Sequence, residues 1–385
     1  DATASLSTTG SGEFLVNTYT TSNQVYPSIA ALAGGGFAIS WESEGQDSDG
    51  DSIHAQIYDA DGSKVGAEFQ VNTYTIDDQD IPSITALGGG GFAITWTSNG
   101  QDSDGDGIYA QIYDADGDKV GSEFQVNTYT TSNQNEPSII ALAGGGFVIS
   151  WESEGQDSDG SGIYAQIYNA NGDKVGAEFQ VNTFTTSNQE VPSITALAGG
   201  GFAITWTSDG QDSDGGGIYA QIYNANGDKV GAEFQVNTYT TATQYGSSIT
   251  ELAGGGFAIT WHSNEQDGDG GSIHAQIYDA DGIRVGDEFQ VNTTTTSSQY
   301  VPSITALTGG GFTITWHSNE QDGDSWGVFA QIYDAAGTRV GSEFQVNTYT
   351  ASLQVFPYIT ALADGGFVIS WMSEGQDGDE WGVFA

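Results

Sequence analysis

The chain contains no cysteine and only six basic residues among 385. Without cysteine, neither a disulfide nor a thiolate-ligated metal is available. Six Lys and Arg stand against 51 Asp and Glu, for a formal net charge of -45. That balance excludes nucleic acid and anionic membrane surfaces as partners, since both are recognised through Lys and Arg. No apolar run approaches the ~20 residues of a membrane-spanning helix, so no membrane insertion is expected. Neither is a charged-then-apolar signal segment visible at the N-terminus. Helix-capping patterns are scarce. Glycine is abundant at 56 residues and aromatics make up 12 %, the composition of many short strands joined by turns. So much acid with so little base fits a secreted or cell-surface protein bathed in salt or divalent cation.

The sequence is also highly periodic. Trp41, Trp96, Trp151, Trp206, Trp261, Trp316 and Trp371 recur every 55 residues, and seven such units fill the chain. A fixed period with no change of composition between copies reads as one domain, residues 1–385, built of seven repeats without a linker. In the first unit, residues 12–17 form a short alternating strand, followed by a polar connector over 18–26. Residues 27–32 form the next strand, with Pro27 at its first position, where a missing N–H is tolerated. A glycine turn at 34–36 leads into 37–41, whose strict alternation puts Phe37, Ile39 and Trp41 on one face. An acidic loop spans 44–52. Residues 53–58 form a further strand, Asp59-Ala60-Asp61-Gly62 a hairpin turn, and 65–71 the last strand.

Four antiparallel strands per 55-residue unit, seven units and no helix predict an all-β, seven-bladed β-propeller whose blades pack through both faces. The final unit stops within its third strand. Residues 12–17 copy the missing fourth strand, so they are predicted to join the last blade and close the ring, leaving no free edge. Residues 1–12 occupy a third-strand position and match it poorly. The acidic loop and the connector fall on one face of the disc, the glycine and Asp-Ala-Asp-Gly turns on the other. The six basic residues (Lys64, Lys119, Lys174, Lys229, Arg284 and Arg339) share one repeat position. Each is expected to pair with a nearby acid such as Glu68.

The acidic loop is the main candidate site. Asp102, Asp104 and Asp106 stand at alternate positions with Gly105 and Gly107 between and after them, like the first half of an oxygen-ligand calcium loop. Asp47, Asp49 and Asp51 repeat the pattern. Later units keep two acids each: Asp157 and Asp159, Asp212 and Asp214, Asp267 and Asp269, Asp322 and Asp324, Asp377 and Asp379. Carboxylates ~5 Å apart repel by on the order of 1 kcal/mol per pair even in water, a cost that bound calcium would remove. Against a metal, Asp-Gly loops are good turn formers, surface acids keep a protein soluble, and Tyr113 stands where an EF-hand has its bidentate glutamate. The histidines do not converge on a zinc centre: His54 and His274 replace Tyr109, while His262 and His317 replace Glu42 or Thr97. Trp326 and Trp381 stand at the position of Asp106 and could stack on a sugar or pack on a neighbouring loop. No single unit breaks the pattern as a catalytic unit would, so no enzymatic activity is expected.

Laid out as EFQVNT, Q, PSITAL, GGGF, ITW, GQD and GIYAQIYDA, the unit resembles repeats of large secreted bacterial surface and adhesin-like proteins that often also carry RTX, or haemolysin-type, calcium repeats. The resemblance covers all seven units, although the glycine-rich calcium nonapeptide is absent. It implies an extracellular, non-catalytic module that binds a cell-surface or matrix component, glycans included. The combined expectation is a structural or adhesive propeller stabilised by divalent cations, with a multivalent lectin as the alternative.

Overall fold

A computed structural model describes residues 12–47 and 49–385. Residues 1–11, with their poor match to a third strand, lie outside the described part. The chain forms seven separate antiparallel sheets, six of four strands and one of three, each with its strands in sequence order. In the first blade the strands are Gln24–Ala31, Phe37–Glu44, Asp51–Tyr58 and Lys64–Gln70. The first strands of successive blades pack on one another around a central channel, and that of the first blade packs on that of the last. The fourth strands form the outer rim. This is the seven-bladed propeller that the period predicts.

Closure is visible in individual bonds. The N–H of Phe14 donates to Ala385 O (3.0 Å), that of Val16 to Val383 O (2.8 Å), and that of Ala385 back to Phe14 O (3.1 Å). Residues around Leu15 therefore complete the three-stranded sheet that ends in Trp381–Phe384. The side chains agree. Asn17 Oδ1 accepts the Val383 N–H at 2.8 Å, just as Asn127 Oδ1 accepts that of Ile108 at 2.9 Å inside an unbroken blade.

The core lies between blades. Around Trp151, residues Ile108, Ala110, Ile112 and Val126 of one blade meet Phe147, Ile149 and Tyr168 of the next. Phe147 stacks on Tyr168 at 4.8 Å and 12°, and Phe124 leans on the same ring from the preceding blade. Because each sheet is sandwiched, both faces of its alternating strands are apolar. One blade alone could not bury either face, so stability comes from stacking neighbours.

Two local expectations are corrected. The inner strand starts at Gln24, not residue 27: its register slips between Val25 and Ser28, with Tyr26 left-handed at φ 49°, and Pro27 sits inside this bulge. Bulges are one of the few places where a sheet admits proline. The basic residues do not pair with the acids four positions on. Lys119 Nζ donates to Val71 O of the preceding blade at 2.8 Å, and every other basic residue repeats that bond one blade further round. Glu123, freed from Lys119, accepts from Thr73 N (2.6 Å), Thr73 Oγ1 (3.0 Å) and Gln101 Nε2 (2.6 Å). Blades are thus laced at two neighbouring points, by a cation on the carbonyl of Val71 and its copies and by a carboxylate on Thr73 and its copies. Lys119→Met keeps the aliphatic stem but leaves the carbonyl of fully buried Val71 without its donor. It is expected to cost about 1–3 kcal/mol in urea unfolding, with no change in the native circular dichroism.

Candidate active site at the channel mouth

The bulge of the inner strand builds this site. Its central residue is left-handed in all seven blades, as Tyr26, Ile81, Glu136, Val191, Gly246, Val301 and Phe356, with φ from 49° to 63°. Only Gly246 suits that conformation. β-Branched Ile81, Val191 and Val301 are outliers there, each a strain of about 1–3 kcal/mol of the kind that collects at functional sites. The bulge turns the backbone N–H toward a side chain on the second strand of the preceding blade: Gly246 N donates to Thr207 Oγ1 (3.3 Å) and Phe356 N to His317 Nδ1 (3.2 Å). That acceptor position holds glutamate in two blades, threonine in two, histidine in two and methionine in one. The residue before the bulge and the first residue of the third strand vary just as freely. These four positions all lie at the acidic-loop end of the channel, while most of the repeat is nearly constant.

The varied residues divide the mouth into two halves. On the side of the first four blades the carboxylates of Asp80, Asp106, Glu136, Glu152 and Glu190 line a cavity of about 420 Å³ with Tyr245. Among the described residues no Lys or Arg pairs with any of them; the salt-bridge-length contacts are His54–Glu68 and His274–Glu288. Burial, reinforced by neighbouring acids, therefore raises their proton affinity. Burial and the charges of Asp51, Asp78 and Asp106 push Asp80 up to about 7. Burial brings Glu152 to about 7 despite the Ser161 hydroxyl that favours its ionised form, with Glu190 and Glu136 adding to the rise. Glu190 is raised by burial and Asp209, but hydrogen bonds from Asn188 and Tyr245 oppose the shift. Outside the cavity, burial and Asp80 raise Glu42 to about 9, and burial with Asp78 raises Asp51 to about 6. The Glu42–Asp80 and Glu152–Glu190 couples are the same inter-blade juxtaposition, built twice and two blades apart.

The last two blades and the start of the first make the other half apolar and aromatic. Trp326 stacks on Tyr300 (5.7 Å, 29°) and meets His317 edge-on (4.9 Å). Trp381, Phe356 and Tyr26 gather round Val25, Val355 and Met372. Burial lowers His262 to about 4 and His317 to about 3, so both imidazoles are neutral at neutral pH. Tyr358 replaces the serine of the other six blades and lies close enough to Glu136 and Tyr26 to feel their charges.

The loop acids singled out by sequence are mostly dispersed. Asp47, Asp102, Asp157, Asp212 and Asp267 each accept a bond from a fourth-strand Gln at 2.9–3.2 Å and organise their own loop. Asp322 and Asp377 hold the same place, each with one buried oxygen unpartnered. Asp49, Asp104 and Asp159 are exposed; Asp214, Asp269, Asp324 and Asp379 are exposed too but accept from backbone N–H groups of the following connector. Asp106 lines the cavity, and Asp51 meets Glu42 and Asp80. Trp326 and Trp381 are partly buried against their neighbours at the mouth. Glu42, Asp80, Glu136, Glu152 and Glu190 were not singled out by sequence. A position-by-position comparison of the seven units would have found them as the places where an otherwise constant repeat changes.

No family model matches the chain, and no curated protein matches its sequence. Solved structures do share its fold. An α-L-arabinanase of Penicillium chrysogenum, complexed with arabinobiose, is 14 % identical at a TM-score of 0.56, the match covering 85 % of this chain and 100 % of that one. A GH93 α-L-arabinofuranosidase of Fusarium graminearum with arabinobiose is 11 % identical at 0.52, covering 86 % and 96 %. A protein of unknown function from Dyadobacter fermentans is 10 % identical at 0.57, covering 83 % and 96 %. At these identities the likeness is one of fold. Yet two of these propellers are sugar-cleaving enzymes, which overturns the expectation of a non-catalytic, adhesive module without enzymatic activity. That expectation looked for one aberrant unit, whereas the departures are spread over several blades and meet only where the ring brings them together.

Proposed function

We propose that the protein hydrolyses glycosidic bonds of uncharged sugars at the channel mouth and does so outside the cell. The observation that carries this reading is the Glu152–Glu190 couple, set in a cavity opposite an aromatic wall. A glycosidase needs one carboxyl that keeps its proton near the working pH and one that is ionised. Glu152, raised to about 7, fits the first role, and Glu190, supported by the donors Tyr245 and Asn188, fits the second. In the proposed reaction Glu152 gives its proton to the glycosidic oxygen as the bond to the anomeric carbon breaks, and the leaving sugar departs as an alcohol. A water molecule attacks that carbon and passes a proton to Glu190. The wall of Trp326, Tyr300 and Phe356 offers apolar faces to the sugar ring, and the remaining carboxylates offer acceptors to its hydroxyls. A uronic or sialic acid would be repelled by the same carboxylates, which no nearby Lys or Arg offsets.

The test is release of reducing ends from a panel of neutral polysaccharides, beginning with arabinan and arabinobiose because of the fold-sharing enzymes. Absence of turnover across the panel would remove the proposal. Trp326→Ala deletes a stacking face worth about 0.5–1.5 kcal/mol. It is expected to raise KM about two- to tenfold with kcat nearly unchanged, read from initial rates.

A further inference from the structure

We propose that Glu42, Asp51 and Asp80 bind a calcium ion at the seam between the first two blades. One carboxylate oxygen from each lies within 4.8 Å of the others. An ion centred in a triangle of that size sits no more than about 2.8 Å from each oxygen, and small rotations bring it into the 2.3–2.6 Å range of calcium. Three carboxylates with no nitrogen or sulfur donor select a hard cation.

Three further observations point to a cation ligand here. Glu42 is only 7 % exposed, yet the one bond it accepts, from Ile81 N, is long at 3.4 Å. Asp80 Oδ1 is fully buried without any hydrogen-bond partner. Thr97, paired with Asp80 across the two strands and 3 % exposed, also has an unpartnered hydroxyl and lines the adjoining cavity. Buried polar atoms are rarely left so, and a cation would occupy the carboxylate lone pairs.

The two-blade comparison explains why the ion belongs here and not at the related couple. Where the first blade has Asp51, the third has Ser161, whose hydroxyl bonds Glu152. The third acid makes one couple a cation site; a hydroxyl in its place leaves the other free for proton transfer. The site differs from a blade-loop site, because only Asp51 comes from the acidic loop, and it stands whether or not the mouth cleaves sugars.

The experiment uses the whole chain stripped with EDTA and titrated with calcium by calorimetry, and with terbium by luminescence sensitised through Tyr26, which feels the charge of Glu42 and Asp80. Glu42→Gln and Asp80→Asn are each expected to weaken the tightest site at least about tenfold. Glu152→Gln and Asp104→Asn are expected to bind as the parent does. In EDTA the Glu42→Gln protein should melt higher than the parent, because a neutral amide is easier to bury beside Asp80 and Asp51 than an acid is, and calcium should no longer raise its Tm. Parent-like binding by both Glu42→Gln and Asp80→Asn would overturn the assignment. So would loss of binding in Asp104→Asn instead, or no calcium-dependent signal in the parent.

Discussion

Val16→Asp is expected to open the ring. Val16 has no exposed surface, donates its N–H to Val383, and packs with Ile29, Phe37, Trp41 and Tyr58 of the first blade. An aspartate there must either bury a charge without a partner or leave the sheet. The first pays the full desolvation of a charge, and the second detaches the strand that completes the last blade and exposes a sheet edge. We expect a loss above about 4 kcal/mol, the range reached when a core takes an unpaired charge. It would be seen as a lowered urea midpoint with early aggregation. Val65→Asp, 47 % exposed on the outer strand, should stay within about 0.5 kcal/mol of the parent. If Val16→Asp unfolded at the parent's midpoint, residues 14–16 would not be sealing the ring.

Glu152→Gln should remove hydrolysis by about 10²–10⁴-fold in kcat, the usual worth of a positioned general acid. It should not weaken folding. Only the protonated carboxyl can donate, so the parent's rate should fall as pH rises through about 7. It should also fall at acid pH as Glu190 takes up a proton, giving a bell, and the variant's residual rate should lack the alkaline limb. Stability follows the same sign. A carboxyl whose folded pKa exceeds its unfolded one contributes most below the unfolded value and loses that contribution as pH rises through the folded one. Glu136, Glu190, the Ser161 hydroxyl and the Val191 N–H face Glu152, and none is a cation. Between pH 5 and 8, therefore, the parent's Tm should drop further than that of Glu152→Gln. Equal slopes would mean that Glu152 is already ionised, and the acid role would be lost.

The fold was legible because its information is local and repeated. The recurring tryptophan sets the blade length, alternation sets the strands, and the fourth strand missing after Trp381–Phe384 points to its copy at residues 12–17. The bulge was less legible: nothing in Val25-Tyr26-Pro27 announces a left-handed tyrosine, since neither alternation nor residue type marks where the register slips. Lys119 misled for a related reason. Spacing along the chain suggested Glu123, while the carbonyl it reaches belongs to a blade 48 residues earlier. The site was the least legible part. Glu42 and Asp80 are 38 positions apart, and Glu152 and Glu190 likewise. Neither couple forms a motif, and each becomes a pair only when neighbouring blades fan around the channel. The acidic loop drew attention because its charges are adjacent in sequence, yet most of them face solvent or hold their own turn.

The slipped register ahead of Ser28 and its copies has a consequence for how such a protein can diversify. Residues on the slip take no part in the regular ladder, so their side chains can be exchanged without disturbing the pairing on either side. Tyrosine, isoleucine, glutamate, valine, glycine and phenylalanine already occupy that one place around a single ring. Duplication supplies a stack of interchangeable plates, and the slip gives each plate one letter that can be rewritten by itself. The lining of the channel mouth can therefore drift one plate at a time while the scaffold stays fixed.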